Sequence, residues 1–162
     1  MWHQFVIRTR STIVTSEAVL LEWLNAMSDV STRRVAAESC IRVRSDSRIT
    51  VVAMQAEVLA SAIELYRART DKDWSLTDCM SFVIMETRGI VDALTTDHHY
   101  KQAGLGAVML SPPSLGDQVI LTSLRKLDPV LMLVPKFSAT VWPISASVAR
   151  VPRSTPARAF RP

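Results

Sequence analysis

The sequence predicts a three-layer α/β domain, in which helices cover both faces of a parallel β-sheet. Short apolar runs rich in β-branched residues alternate, over residues 11–110, with longer segments whose apolar residues recur at helical spacing. Such alternation indicates a parallel sheet, because each parallel strand needs a crossover connection to the next. A length of 162 residues, with 48% hydrophobic and 21% charged residues, fits a single core.

The first half of the pattern predicts two strands and two helices. Residues 11–15 (STIVT) are an apolar, β-branched run and therefore a buried strand. Thr15 or Ser16 then caps a helix that reaches about residue 29, because both side chains suit the N-cap and apolar residues follow at helical spacing. A second helix is predicted over residues 31–44 and a second strand over residues 48–53 (RITVVA).

The second half predicts two further helices, a helical turn and two strands. Residues 55–69 form a helix with one apolar stripe, and residues 75–88 form another that Gly89 ends at the C′ position. A strand is predicted over residues 90–95, a helical turn over residues 98–102, and a last strand over residues 107–110.

The composition changes sharply after residue 110. All eight prolines lie there, and residues 111–162 carry seven Lys or Arg against two Asp or Glu, so the net charge of +4 arises in this segment. Such a bias is typical of a disordered chain end. We therefore expect a basic, Pro-rich tail, poorly ordered beyond about residue 140, whose removal leaves the stability of the body unchanged.

Cysteine and histidine usage argues against a disulfide and against zinc. Cys40 and Cys79 lie in apolar helical surroundings without CxxC spacing, which predicts buried thiols in a reducing cytoplasm. His98 and His99 are adjacent, so we expect their rings to point to different faces, and the sequence does not predict a zinc site. The longest apolar stretch is interrupted by charges and by proline, so no membrane segment is expected.

Three acidic residues fall where an α/β sheet collects ligands, outside the carboxyl ends of its strands. Glu22 lies on a small, apolar helix face, so its carboxylate is expected to point inward. Asp78 opens the helix over residues 75–88, where it also completes a capping box with Ser75. Asp97 follows the strand over residues 90–95, where it also suits an N-cap. A surface position for Glu22 and caps for the two Asp residues therefore compete with metal binding.

These acids belong to a longer pattern. The segment VTSEAVLLEWLNAMS, followed by DKDWSLTDCMSFVIMETRGIVDALTTDHHYKQAG, resembles the PIN domains, the metal-dependent nuclease fold of VapC-type toxins, over roughly residues 10–110. The resemblance implies that Glu22, Asp78 and Asp97 are the catalytic metal ligands, that the cofactor is Mg²⁺ or Mn²⁺, and that the reaction is hydrolysis of RNA.

The same resemblance implies the partners. RNA would be the substrate, and a cognate antitoxin protein and a second copy of the chain are further expected partners in the cytoplasm. Arg67, Arg69 and Lys72 are candidate phosphate contacts, although each is equally well read as a solvated charge at a helix end.

The resemblance is incomplete at both ends. PIN domains open with a central strand that ends in a metal-binding Asp, whereas residues 2–10 contain no acid. We therefore expect a partial PIN-like domain over residues 1–110 with its first strand missing, joined to a tail over residues 111–162, as in a gene fragment with a run-on reading frame. Residues 119–123 or 130–134 are expected to replace the lost strand if any part of the tail is ordered.

Two functions then remain open, together with a third alternative outside the PIN family. Loss of the first catalytic Asp leaves either an impaired ribonuclease or an inactive remnant that at most binds RNA or a protein. In the tail, Asp117 and Asp128 are the acids available to replace the missing ligand. The third alternative is an unrelated flavodoxin-like domain in which the three acids are fortuitous.

Overall fold

The structure, a computed structural model, describes residues 12–108 and 130–133. The strands are β1 (Thr12–Ser16), β2 (Ile49–Val52), β3 (Asp92–Leu94), β4 (Gly106–Ala107) and β5 (Val130–Leu133). The helices are α1 (Glu17–Ala26), α2 (Arg33–Ser45), α3 (Ala56–Ala68), α4 (Leu76–Arg88) and α5 (His98–Gln102).

The described strands form one parallel sheet in the order β2-β1-β5-β3-β4. The expected mixed α/β architecture with parallel strands is therefore confirmed. Because all strands run in the same direction, the ends of β1, β5 and β3 meet at one edge, which is also where α1 begins and where the loop to α5 leaves the sheet.

The central strand comes from the segment expected to be a tail. Val130–Leu133 pairs with β1 on one side and with β3 on the other, and Met132 lies opposite both Val14 and Ala93. Met132 is fully buried, with 0% of its surface exposed. Of the two candidate replacement strands, this one enters the sheet. The division of the chain at residue 110 therefore does not hold for these four residues, and the exception expected for an ordered part of the tail applies to them. That the rest of the tail is dispensable stays a prediction.

The remaining expectations about the tail fall on residues outside those that the structure describes. These are the disorder beyond about residue 140 and the alternative strand over residues 119–123. Both stay predictions.

The helix boundaries follow from local chemistry. Ser16 caps α1 by accepting a hydrogen bond from the Val19 amide at 3.2 Å. Ser75 and Asp78 form the expected capping box at the start of α4. Gly89 ends that helix with a φ of 64°, a left-handed conformation that glycine adopts without a steric penalty.

The core lies on both faces of the sheet. Consecutive strand residues point to opposite faces, and Val14 and Ala93 belong to a large buried cluster with residues of α1, α3, α4 and α5. Ile13 and Leu94 form a smaller cluster on the other face. Both faces of β1 are thus buried over residues 13–16, as are Ala93 and Leu94 of β3.

Two strands are shorter than the sequence predicts. β3 spans three residues and β4 two. The Asp92 carboxylate lies against Gly106, and a Cβ atom at that glycine would collide with it. A residue with a side chain at this position would therefore require the Asp92 side chain to move.

Two expectations about surroundings can be checked in the described part of the chain. Cys40 and Cys79 are both free thiols, with Cys79 buried and Cys40 partly exposed. Among the described helices, none is long and apolar enough to cross a membrane.

Candidate metal centre

Asp78 is fixed at the start of α4 by its own capping box. Its Oδ2 atom accepts a hydrogen bond from the Ser75 amide at 2.9 Å, and its amide donates to the Ser75 hydroxyl at 3.0 Å. The residue is buried, at 8% exposure. Burial of a carboxylate needs compensating partners, and the cap supplies one of them.

Asp97 is fixed in the same way at the start of α5. Its Oδ1 atom accepts a hydrogen bond from the His99 amide at 2.9 Å, and its own amide donates to the Thr95 hydroxyl at 3.1 Å. With 3% exposure it is the more buried of the two acids. The capping role expected from the sequence is therefore real, and it aims the carboxylate at the carboxyl edge of β3.

His99 lies between these two carboxylates. Its Nδ1 atom is 3.4 Å from Oδ2 of Asp78 and 3.5 Å from Oδ2 of Asp97. Within the described part of the chain this buried nitrogen has no hydrogen-bond partner, since neither approach has the angle of a hydrogen bond. The structure therefore brings together two acids that lie 19 positions apart in the sequence, with a single ring nitrogen between them.

His98 is the more exposed member of the same group. Its Nδ1 atom lies 3.7 Å from Oδ1 of Asp97, and its ring centroid is 4.4 Å from that of His99. Ligand atoms of Asp97, His98 and His99 all lie within 4.8 Å of one another. The expectation that the two rings diverge to different faces is therefore wrong. Asp97 precedes both histidines at the first turn of the helix, and both rings turn back toward its carboxylate.

Tyr100 forms the buried floor beside the acids. It is fully buried, and its ring packs edge-on against Phe82 at 4.9 Å. Burial raises the pKa of Tyr100 well above its usual range. The nearby Ser81 hydroxyl acts in the opposite direction, and the negative charges of Asp78, Asp97 and Glu22 raise the pKa further. The phenol therefore stays protonated and neutral at physiological pH.

Glu22 differs from the other two acids. Its charge acts on Tyr100, so it lies on the same side of the sheet. The residue is exposed, however, and no hydrogen bond or ion pair holds it among the described residues. The expectation that its carboxylate points inward is wrong, because α1 buries the adjacent Ala18, Val19 and Leu20 instead. The structure thus brings Asp78 and Asp97 to one histidine nitrogen and leaves Glu22 exposed on the same side of the sheet.

The strand at the centre of this edge contributes no acid. β5 consists of Val130, Leu131, Met132 and Leu133, and Val134 and Pro135 follow in the sequence. Asp128, one of the two candidate replacement acids, precedes β5 in the sequence, whereas the candidate centre lies at its carboxyl end. Asp117 lies outside the described residues.

The basic residues near α3 have partners of their own. Arg69 pairs with Asp71 at 2.8 Å and stacks over the Trp74 ring at 4.7 Å. Lys72 pairs with the same carboxylate at 3.2 Å. Hydrogen bonds from both cations hold the pKa of Asp71 far below its usual range. Arg67 is exposed, with no such partner among the described residues.

The side chain that sequence reasoning missed here is His99. Two histidines after an Asp at a helix start were a visible signal, but they were set aside because adjacent residues usually diverge on a regular helix. Burial of the ring, with 12% of the side chain exposed, could not be read from the sequence.

Comparison with known proteins supports a fold assignment. No protein-family model matches the chain, and no curated protein sequence matches it either. Among solved structures, it is similar to VapC20 of Mycobacterium tuberculosis, a toxin that cleaves the sarcin-ricin loop. The TM-score is 0.58 and the identity 24%, and the match covers 65% of this chain and 81% of VapC20. At this identity the likeness concerns the fold alone: this chain shares the α/β fold of VapC20.

Proposed function

We propose that the chain is a PIN-type endoribonuclease that requires a divalent metal ion. The observation that carries the proposal is the pair Asp78 and Asp97, both buried and each within 3.5 Å of the same His99 Nδ1 atom, at the carboxyl edge of a parallel sheet. Buried acids that share one site repel each other unless a cation or a proton lies between them. Without a ligand, such a pair would lower the stability of the fold, which favours a role in binding or catalysis.

The residues present fit a divalent ion in their chemistry. Asp78 and Asp97 offer carboxylate oxygens, which hard cations such as Mg²⁺ and Mn²⁺ prefer. Glu22, on the same side of the sheet, is free to turn toward them because it is exposed. When bound, such an ion supplies charge neutralisation at a phosphate and lowers the pKa of a water.

The chain's own residues do the positioning. The amides of Ser75 and His99 hold one oxygen of each carboxylate, so the acids keep their orientation before any ligand arrives. This preorganisation is what an efficient site needs, because no energy is then spent in ordering it. Neutral Tyr100 closes the inner side and keeps water out of the core.

The remaining features implied by the PIN resemblance belong to the same proposal. They are the three-layer arrangement with its first strand lost, RNA as substrate, an antitoxin partner, self-association and a cytoplasmic location. Among the basic residues, Arg67 is the better candidate for a phosphate contact, since Asp71 already neutralises Arg69 and Lys72.

One observation favours the second candidate function, an inactive remnant that binds RNA or a protein. The central strand supplies no acid in its four described residues, and Glu22 is not held in place. Two fixed carboxylates bind a hydrated Mg²⁺ weakly, because that ion gives up its waters reluctantly. We therefore expect cleavage to be slow, and slower than that of a PIN domain with all its acids.

The test compares RNA cleavage by the full chain and three variants. A sarcin-ricin loop hairpin is a suitable first substrate because VapC20 cleaves that loop. We expect slow cleavage with Mn²⁺ or Mg²⁺, none with EDTA, and none in Asp78→Asn or Asp97→Asn. Glu64→Gln is the control, since it removes an exposed acid that has no partner among the described residues. Cleavage that persists in both active-site variants would show that the chemistry lies elsewhere, and no cleavage by any variant would favour the remnant.

A further inference from the structure

Ligand atoms of Asp97, His98 and His99 lie within 4.8 Å of one another, close enough to bind one ion. Zn²⁺ is usually tetrahedral, so three protein ligands and one further donor complete its shell. His99 Nδ1 lies 3.4 Å from Oδ2 of Asp78 and 3.5 Å from Oδ2 of Asp97, and His98 Nδ1 lies 3.7 Å from Oδ1 of Asp97.

The donor set points in the same direction. Two imidazoles join two carboxylates, and imidazole nitrogen suits zinc and its neighbours in the transition series better than it suits Mg²⁺. His99 Nδ1 is a buried atom without a hydrogen-bond partner, and it faces two carboxylate oxygens. A nitrogen lone pair in that position is repelled by both oxygens unless a proton or a metal ion lies between them.

The supporting contacts are those of a prepared ligand shell. Oδ2 of Asp78 is held by the Ser75 amide, and Oδ1 of Asp97 by the amide of His99. Hydrogen bonds of this kind orient metal ligands and raise affinity. His98, with 63% of its side chain exposed, has room for the short inward rotation that completes the set.

We propose that Asp97, His98 and His99, with Asp78 beside His99 as the further donor, form a site that selects Zn²⁺, or Co²⁺ in similar geometry, over Mg²⁺. For any part in RNA cleavage this inference rests on the proposed function, but metal binding itself is measured without RNA. Zinc binding without cleavage would therefore leave the site standing and overturn the nuclease. Magnesium-dependent cleavage indifferent to the histidines would do the reverse.

The experiment is metal titration of the full chain by calorimetry, with Co²⁺ absorption as a second measurement. We expect one Zn²⁺ per chain, bound on the order of 100-fold more tightly than Mg²⁺. His98→Ala should weaken Zn²⁺ binding roughly tenfold or more while leaving weak Mg²⁺ binding unchanged. Because His98 is exposed, this variant is expected to fold. His99→Gln should weaken binding further, with its circular dichroism as the check on folding.

The chain offers matched controls. His3 is the one other histidine, and His3→Ala should leave Zn²⁺ affinity unchanged, as should Cys40→Ser. Bound Co²⁺ should show the intense visible bands of tetrahedral coordination, and these should weaken in His98→Ala. Equal Zn²⁺ affinity in the wild type and His98→Ala, loss of binding in His3→Ala or Cys40→Ser, or the weak bands of octahedral Co²⁺ would each overturn the inference.

Discussion

The two sides of the candidate centre differ in how firmly their side chains are held. On the β3 side, Asp78 and Asp97 are buried, each is held by a backbone amide, and His99 lies between them. On the β1 and β5 side, Glu22 is exposed and the central strand offers only apolar side chains. The β3 side is therefore organised before any ligand binds, whereas the other side would have to be completed on binding.

The difference has a simple physical origin. A helix cap fixes its acid through hydrogen bonds within three residues, so the position of the carboxylate is determined locally. Glu22 sits in the second turn of α1, where its direction depends on how the whole helix packs. A site assembled from caps survives changes elsewhere in the fold, and one that depends on packing does not.

The largest expected effect concerns the strand that joins the two sides. Met132→Lys places a charge at a fully buried position between β1 and β3. We expect a loss of about 4 kcal/mol or more in the free energy of unfolding, because a buried side chain is lost and an unpaired charge is gained. Urea denaturation followed by circular dichroism measures it.

The control for this prediction is Val91→Lys, at a position with 67% exposure. It should change stability by less than about 0.5 kcal/mol. If Met132→Lys is as mild as the control, residues 130–133 do not form the central strand in solution.

How far the sequence could anticipate this comparison depends on the range of the interactions. The strands at residues 12–16 and 49–52 and both caps were predictable, because β-branched runs and capping residues act locally. The direction of Glu22 was not, since the apolar face of α1 does not reveal which of its residues meets the sheet. Nor could the sequence choose between residues 119–123 and 130–134 for the centre, because both are short apolar runs and pairing in a sheet is long-range.

The second prediction adds an acid to the β1 and β5 side of the candidate centre. Placing Asp at one of the residues at or after the carboxyl end of β5, in the panel Leu133→Asp, Val134→Asp and Pro135→Asp, supplies an acid where the central strand has none. We expect one member to raise metal-dependent RNA cleavage on the order of 100-fold, because a further anionic ligand is worth several kcal/mol around a divalent ion.

Adding Asp97→Asn to the improved variant should abolish the gain, which ties it to the same ion. A panel that folds and shows no gain would mean that the missing acid is not what limits the chain.

The third prediction separates the cap of Asp97 from its charge. Asp97→Ala removes the side chain that accepts from the His99 amide, and should cost about 1 kcal/mol of stability in EDTA. Asp97→Asn keeps a capping oxygen and relieves repulsion from Asp78, so it should be neutral or slightly stabilising. Glu22→Gln should change nothing, since the exposed carboxylate has no described partner. A Glu22→Gln variant as unstable as Asp97→Ala would erase the contrast between the two sides.

The last effect is confined to alkaline solution and concerns Tyr100, the buried side chain beside the acids. Burial raises the pKa of Tyr100 above the ordinary tyrosine value of 10.0, with smaller contributions from the three acids. Below pH 10 the phenol is neutral in both the folded and the unfolded state, so its full contribution to stability is present there. Above pH 10 the unfolded chain ionises while the folded one does not, and stability falls by up to about 1.4 kcal/mol per pH unit.

Tyr100→Phe should remove this component of the alkaline loss, whereas Tyr66→Phe, at a position with 54% exposure, should leave it intact. Urea denaturation between pH 9 and about pH 11 in EDTA measures the difference, and equal alkaline slopes for the two variants would mean that Tyr100 is not enclosed beside the acids.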